Sequence, residues 1–442
     1  MVTRRTRSAG AALLAAAVAL GLTACGSDST ESSGTGAGSQ PPASDAKTTL
    51  TMWHYLDVEP IIDLYETAHP NVTINFTKQP ATGYDQKLIT AVKAGNGPDI
   101  AQAPYQQLPT LVAGGALADI SKMLPAGVEE KFVPGTWSQV KLGDAVYGTP
   151  EDSGPMGLFY RNDLFKKYGV AVPTTWQEFT KAAEVIRKTG NYITAFSPAP
   201  GDVYWFSGLC MQNGAQWFGV EGEKWRVNIN DPKCKEVADY WQDLIDRDLV
   251  KVENFFSDGW NAGLNSGKIL SLPSAAWMVG FLQSSAPGTS GKWRVAPMPA
   301  WRVGDPAAGN WGGSAVSVTK SSKNMPAAVD FVTWMNTDEK AVALGVQKLG
   351  LYPASRAALD SEVVRVKPKF FGGQDVNEIF GEAAANVNGQ WTWGPTMVQT
   401  STDLSAAFGK AVEGGASLAD SLDAVQAGTV KHMQSQGFAI SE

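Results

Sequence analysis

Residues 48–94 read TTLTMWHYLDVEPIIDLYETAHPNVTINFTKQPATGYDQKLITAVKA. The β-branched alternation of Thr48 to His54 and of Val72 to Thr77 marks two strands, and the spacing of apolar residues in Glu59 to Ala68 and Tyr84 to Ala94 marks two helices. Strand, helix, strand, helix implies a parallel sheet covered by helices, and so an α/β fold. In such sheets ligands sit beyond the carboxyl ends of the strands, where Trp53, His54 and Tyr55 fall.

Upstream of this run the sequence changes character. Arg4, Arg5 and Arg7 precede an apolar stretch from Ala11 to Leu22, about half the ~20 residues that span a bilayer, so it reads as a signal-peptide core. Leu22-Thr23-Ala24-Cys25 closes it as a lipobox, with residues 1–24 removed and Cys25 lipid-modified. Two acyl chains at ~0.8 kcal/mol per buried methylene hold a protein on a membrane. Residues 25–46 are then a lipidated tether of Ser, Gly, Thr and Pro, too polar to fold. A coil of this length spans roughly 25 Å.

The whole chain has 442 residues, with 36 Lys and Arg against 43 Asp and Glu. Losing the leader's three arginines takes the net charge from −7 to −10. Without clustered basic residues, nucleic acid is excluded as a partner. With Cys25 lipidated, Cys210 and Cys234 remain as one pair outside the cytosol, where a disulfide is expected and two buried free thiols are the alternative. His54, His69 and His432 are scattered and no metal-ligand spacing occurs, so no metal and no cofactor are expected.

Fifteen tryptophans are the composition fact that bears most on function. Pro173 to Glu178 starts a helix, with Thr175 and Glu178 spaced as a capping box, and Asp231-Pro232 starts another whose Val237, Tyr240, Trp241, Leu244 and Ile245 share a face. Trp176, Trp241 and Trp334 belong to such helices and read as core. Trp205, Trp260, Trp277, Trp311, Trp391 and Trp393 sit instead among Gly and Pro, where side chains are free to line a cleft. A pyranose presents C–H bonds on its faces and hydroxyls on its rim, so flat aromatic faces beside amides and carboxylates point to carbohydrate.

Gly97-Pro98-Asp99-Ile100 followed by Gly115 to Ile120, Gly148-Thr149-Pro150 through Phe159 to Phe165, Ser321 to Asn324 with Ala327 to Met335, and Gly350-Leu351-Tyr352-Pro353 occur in this order. Together they resemble the maltose-binding-protein-like family of extracellular solute-binding proteins, over almost the whole mature chain. The resemblance implies a two-lobed, type II periplasmic-binding-protein-like fold with a hinge of three crossings and a ligand cleft between the lobes. It places lobe 1 at residues 47–150 and 310–338, and lobe 2 at 151–309 and 339–442. It also implies a monomer on the extracytoplasmic face of the cell membrane, taking up a mono- or oligosaccharide and passing it to ABC transporter permease subunits. By position, Gln102, Tyr105 and Gln106 face the cleft from lobe 1, and Glu151 and Asp152 fall at the first crossing. Tyr204, Trp205, Trp277, Trp391 and Trp393 match second-lobe aromatics, and Trp311, Gly312 and Tyr352 complete the set. The chain departs from the maltose binder at Ala103, Gln106 and Gln107, so maltose specificity does not carry over.

Two rivals are weighed by the same chemistry. A lipid-anchored glycoside hydrolase needs two carboxyls flanking one bond at ~5 or ~6.5–9.5 Å, whereas the adjacent Glu151 and Asp152 in an extended segment point to opposite sides. A polyamine or ion binder of the same fold wants a charged pocket in place of neutral indoles.

Overall fold

The computed structural model describes residues 47–81, 83–365 and 367–441. The signal peptide, Cys25 and the tether lie outside the described residues. Strand β1 (Thr48–His54), helix α1 (Glu59–Ala68), β2 (Val72–Lys78), α2 (Tyr84–Lys93) and β3 (Ile100–Pro104) follow the alternation of the sequence. Leu50, Met52 and His54 point into the core from one face of β1, and α1 covers the sheet with Ile61, Ile62 and Tyr65.

β1 pairs in parallel with both β2 and β3. The rest of this sheet corrects the parallel expectation. After β4 (Thr149–Pro150) the chain leaves to build a second sheet from β5 (Met156–Arg161), β6 (Ser271–Ala275) and β7 (Trp293–Pro297), then returns as β8 (Ser314–Val318). The first sheet runs β2-β1-β3-β8-β4, with β8 antiparallel to β3 and to β4. A parallel neighbour requires a crossover that brings the chain back to the starting end. Here the chain re-enters straight from the second sheet and therefore runs in reverse. The second sheet, β6-β5-β7, is antiparallel throughout.

Three passes between the sheets lie side by side. Glu151 donates its backbone N–H to Ser314 O, Ser153 to Tyr352 O, Ala354 to Glu151 O, and Trp311 to Gly154 O. The approach is close enough to dictate residue size. A Cβ on Gly154 would stand 2.0 Å from the Trp311 carbonyl oxygen, and one on Gly313, at φ +95°, 2.7 Å from the Tyr105 ring. Only glycine fits either place.

Helices α3 (Trp176–Arg187), α4 (Val203–Gln212) and α5 (Pro232–Asp246) accompany the second sheet. Thr175 caps α3 by accepting the Glu178 N–H, while the Glu178 carboxylate turns back to accept the Thr174 N–H and hydroxyl. Trp241 of α5 meets Trp205 at 4.8 Å between ring centroids, with Trp176, Phe179 and Phe196 around it. Cys210 of α4 and Cys234 of α5 form a disulfide across 4.7 Å between Cα atoms. Closing the 25-residue loop stabilises the fold by about 3.5 kcal/mol in the chain-entropy account. Reduction should lower the melting temperature by several degrees, read by circular dichroism with and without reductant, and mass analysis of the oxidised protein should find Cys210 joined to Cys234.

Candidate functional site

β1 and β3 end beside the first crossing, and a closed hydrogen-bond network ties the three together. His54, fully buried, accepts the Leu56 N–H at Nδ1 over 3.0 Å, which leaves its proton on Nε2, 3.0 Å from Glu151 Oε1. Gln102 donates to the other Glu151 oxygen at 3.1 Å and accepts the Tyr55 N–H at 3.0 Å. Each donor meets an acceptor, as burial demands. The Tyr55–Leu56 turn is thereby fixed at the mouth of the sheet, and the Tyr55 hydroxyl reaches Gln107. Burial raises the Tyr55 hydroxyl pKa.

Asp152 is bound differently. Its carboxyl accepts the Ser314 N–H at 2.8 Å, and its backbone carbonyl accepts the Tyr105 hydroxyl at 2.9 Å. Burial first, and the neighbouring Glu151 charge second, push the Asp152 carboxyl well above the usual range. A carboxyl held in this way can act chemically as a hydrogen-bond donor or as an acceptor.

A cleft of about 1220 Å³ lies beside this network, lined by Tyr55, Leu56, Gln102, Asp152, Gly313 and Ser314. Trp277, Phe281 and the turn at Gly350 to Tyr352 line it as well. Trp277 is partly buried, its indole N–H donates to Trp311 O at 2.8 Å, and its ring lies 4.7 Å from that of Trp311, so the ring is fixed at the cleft. Gly312 lies against that indole, at the far end of the same crossing.

The remaining expected residues separate into groups. Trp205 and Trp260, expected at the ligand, are each 1 % exposed. They are corrected to core positions behind the wall. Trp205 belongs to α4, a helix buried all round, and donates to Pro273 O at 2.7 Å; Pro198, Pro200 and Gly201 precede the helix, and Gly208 lies inside it. Trp311 is buried as well and reaches the cleft through its carbonyl. Trp53, partly buried, lies under the Lys87 ammonium. Tyr105, Trp391 and Trp393 line a separate, apolar pocket of about 50 Å³, which Tyr352 also borders. Tyr204 packs edge-on against Trp393, with its hydroxyl pushed up to about 12 by burial. Gln106 keeps a buried side-chain oxygen without a hydrogen-bond partner among the described residues.

Sequence reasoning missed Phe256 and Asp202. Phe256 is 38 % exposed at φ +62°, and its ring lies 6.1 Å from that of Trp277. Asp202 holds the same loop, accepting the Phe255 N–H at 3.0 Å and the Ser197 hydroxyl. The Phe-Phe pair was the available signal, but it reads equally well as core.

The described chain matches the family described as bacterial extracellular solute-binding protein over residues 55–342. The chain belongs to that family. It is a binding protein rather than an enzyme. Among curated relatives, the lactose-binding protein of Rhizobium radiobacter is 27% identical over 335 residues, 72% of this chain and 76% of its own. The arabinooligosaccharide-binding protein of Bacillus subtilis is 24% identical, over 73% of this chain and 77% of its own. Of solved structures, the ABC transporter associated binding protein from B. animalis subsp. lactis Bl-04 in complex with beta-1,6-galactobiose superimposes with TM-score 0.80 at 31% identity, covering 90% of this chain and 100% of that one. The galacto-N-biose-/lacto-N-biose I-binding protein from Bifidobacterium longum gives 0.81 at 30% identity, over 89% and 98%. The fold is thus the two-lobed type II arrangement.

Asp202 makes the loop beside Trp277 sensitive to pH. Burial pushes its carboxyl up to about 6, against the opposing pull of Ser197 and the Phe255 N–H. Because the folded value lies above the ~3.9 of an unfolded aspartate, the stabilisation from its proton is complete below about pH 3.9 and is lost as pH rises through about 6. Asp202→Asn keeps an acceptor for the Phe255 N–H and removes the titration. Across pH 4 to 7 the wild-type melting temperature should therefore fall relative to that of Asp202→Asn, as thermal melts at stepped pH will show.

Proposed function

We propose that this protein is a membrane-anchored lipoprotein that captures a sugar or oligosaccharide by closing its two lobes and delivers it to the permease of an ABC importer. The observation that carries the reading is the composition of the cleft, which the fixed, partly buried Trp277 indole lines together with Tyr55, Gln102 and Asp152. An indole covers the apolar face of a pyranose while amide, carboxyl and backbone groups take its hydroxyls. The relatives named for lactose and arabinooligosaccharides, and the solved complex with a galactobiose, support sugar as the ligand class. Lobe 1 comprises residues 47–150 and 310–338 and lobe 2 residues 151–309 and 339–442, so that Tyr55 and Trp277 approach each other on closure. The anchor rests on Leu22 to Cys25, and the extracytoplasmic location follows from it.

Calorimetric titration with β-1,6-galactobiose, lacto-N-biose, lactose and arabino-oligosaccharides, with polyamines as the contrast, tests the ligand class. At least one sugar should bind and no polyamine should. Trp277→Ala should weaken the best sugar by about 2–4 kcal/mol, roughly 30- to 1,000-fold. Trp241→Ala should instead cost about 3–5 kcal/mol of stability and leave the affinity of the folded fraction near wild type. Unchanged affinity in Trp277→Ala would move the sugar out of this cleft. Separately, Cys25→Ser should shift the protein from the membrane fraction to the culture supernatant with ligand affinity intact; equal retention would sink the anchor.

A further inference from the structure

The chain contains three Asn-Gly pairs, Asn96-Gly97, Asn213-Gly214 and Asn388-Gly389. Such a pair can lose ammonia without an enzyme, because the glycine backbone nitrogen can attack the asparagine side-chain carbonyl carbon and no side chain on glycine hinders the ring that forms. Three things are needed from the fold. The side-chain amide must be free to turn, the glycine N–H must be uncommitted, and the peptide unit must have room to swing.

The structure withholds these from two of the pairs. Asn213 is 3 % exposed, and its side chain is committed at both ends. Its amide donates to Lys233 O at 2.8 Å and to the Glu236 carboxylate at 2.9 Å, and its carbonyl accepts from Arg302 at 3.2 Å. Asn96 is exposed, but the glycine after it is packed in. A Cβ on Gly97 would stand 2.5 Å from Val92 Cγ2 and 2.7 Å from Ser321 Oγ, so this peptide unit has little room to rotate.

Asn388-Gly389 meets all three conditions. Asn388 is half-buried and Gly389 exposed, and a Cβ on Gly389 would meet nothing within 4 Å. Neither the Asn388 amide nitrogen nor the Gly389 N–H has a hydrogen-bond partner among the described residues. The Asn388 side-chain oxygen accepts the Gln390 N–H at 3.0 Å, which draws electron density from the carbon to be attacked. The pair also lines the apolar pocket of Trp391 and Trp393, and the Asn388 carbonyl accepts the Trp391 N–H at 3.2 Å.

We propose that Asn388 is a site of spontaneous deamidation, so that the neutral rim of the pocket beside Trp391 and Trp393 acquires a carboxylate as the protein ages. The Gly389 nitrogen gives its proton to hydroxide and bonds to Asn388 Cγ; the Cγ–Nδ2 bond breaks, ammonia leaves and a succinimide ring closes. Water then adds to either ring carbonyl next to the nitrogen and opens the ring. One route gives aspartate, and the other gives isoaspartate, in which the main chain runs through Cγ and is a methylene longer. The balance is water in and ammonia out, with no change of oxidation state. Since the attacking nitrogen must be deprotonated, the rate rises with pH.

The test follows the purified mature protein through days of incubation at mildly acidic and mildly alkaline pH, with isoelectric focusing to read the gained charge and peptide mapping to place it. A parallel sample in urea, where the fold shields none of the pairs, sets the rate that the sequence alone allows. In the folded protein Asn388 should convert several-fold faster than Asn96 while Asn213 stays intact, and in urea the three rates should converge. Conversion should be faster on the alkaline side. Asn388→Gln, and Gly389→Ala with its added Cβ in open space, should each remove the acidic isoform, with circular dichroism showing an unchanged fold. An Asn388 that stays intact in the folded protein, or the same ratio of the three rates folded and in urea, overturns the assignment.

Discussion

The backbone contacts among the three crossings constrain everything else in this molecule. Residues 151–154, 309–314 and 352–354 run close enough to exchange hydrogen bonds, and Gly154 sits where any side chain would collide with the Trp311 carbonyl. Into this ribbon the first sheet inserts the His54–Glu151–Gln102 network, and the second sheet inserts Trp277 through its bond to Trp311. Both walls of the cleft are thus referenced to the same few peptide units. A carboxylate as buried as Glu151 is tolerable because His54 and Gln102 each donate to it, and removing either would leave a charge without its partner.

The elements near the amino end were legible because local pattern and tertiary role agree there. β1 and α1 fall where alternation and helical spacing put them, since each has one buried face and one exposed face. The antiparallel return of β8 was not legible, because its direction depends on a long excursion and not on anything within Ser314–Val318. All five of its residues are buried, so no alternation survives to be read.

Of the residues expected at the site, the structure brings the polar ones together more than the aromatic ones. His54, Gln102, Glu151 and Asp152 were identified by strand ends and crossings, and the structure joins them by hydrogen bonds or brings them to one ribbon. Indoles were harder to sort. Trp277 and Trp205 look alike in sequence, yet one follows a strand and remains partly bare while the other lies in a helix buried on every side.

The bond from the Trp277 indole to the Trp311 carbonyl has a thermodynamic consequence. A ring already held in place gives up little rotamer freedom when a ligand arrives, so its contact area is converted to affinity with a smaller entropic loss. The same is true of Gln102, whose amide is committed at both ends. With the side chains of both walls stiff, the angle between the lobes is the main coordinate left to adjust. On the proposed closure mechanism, ligands of different thickness would be met by different degrees of closure rather than by side-chain repacking.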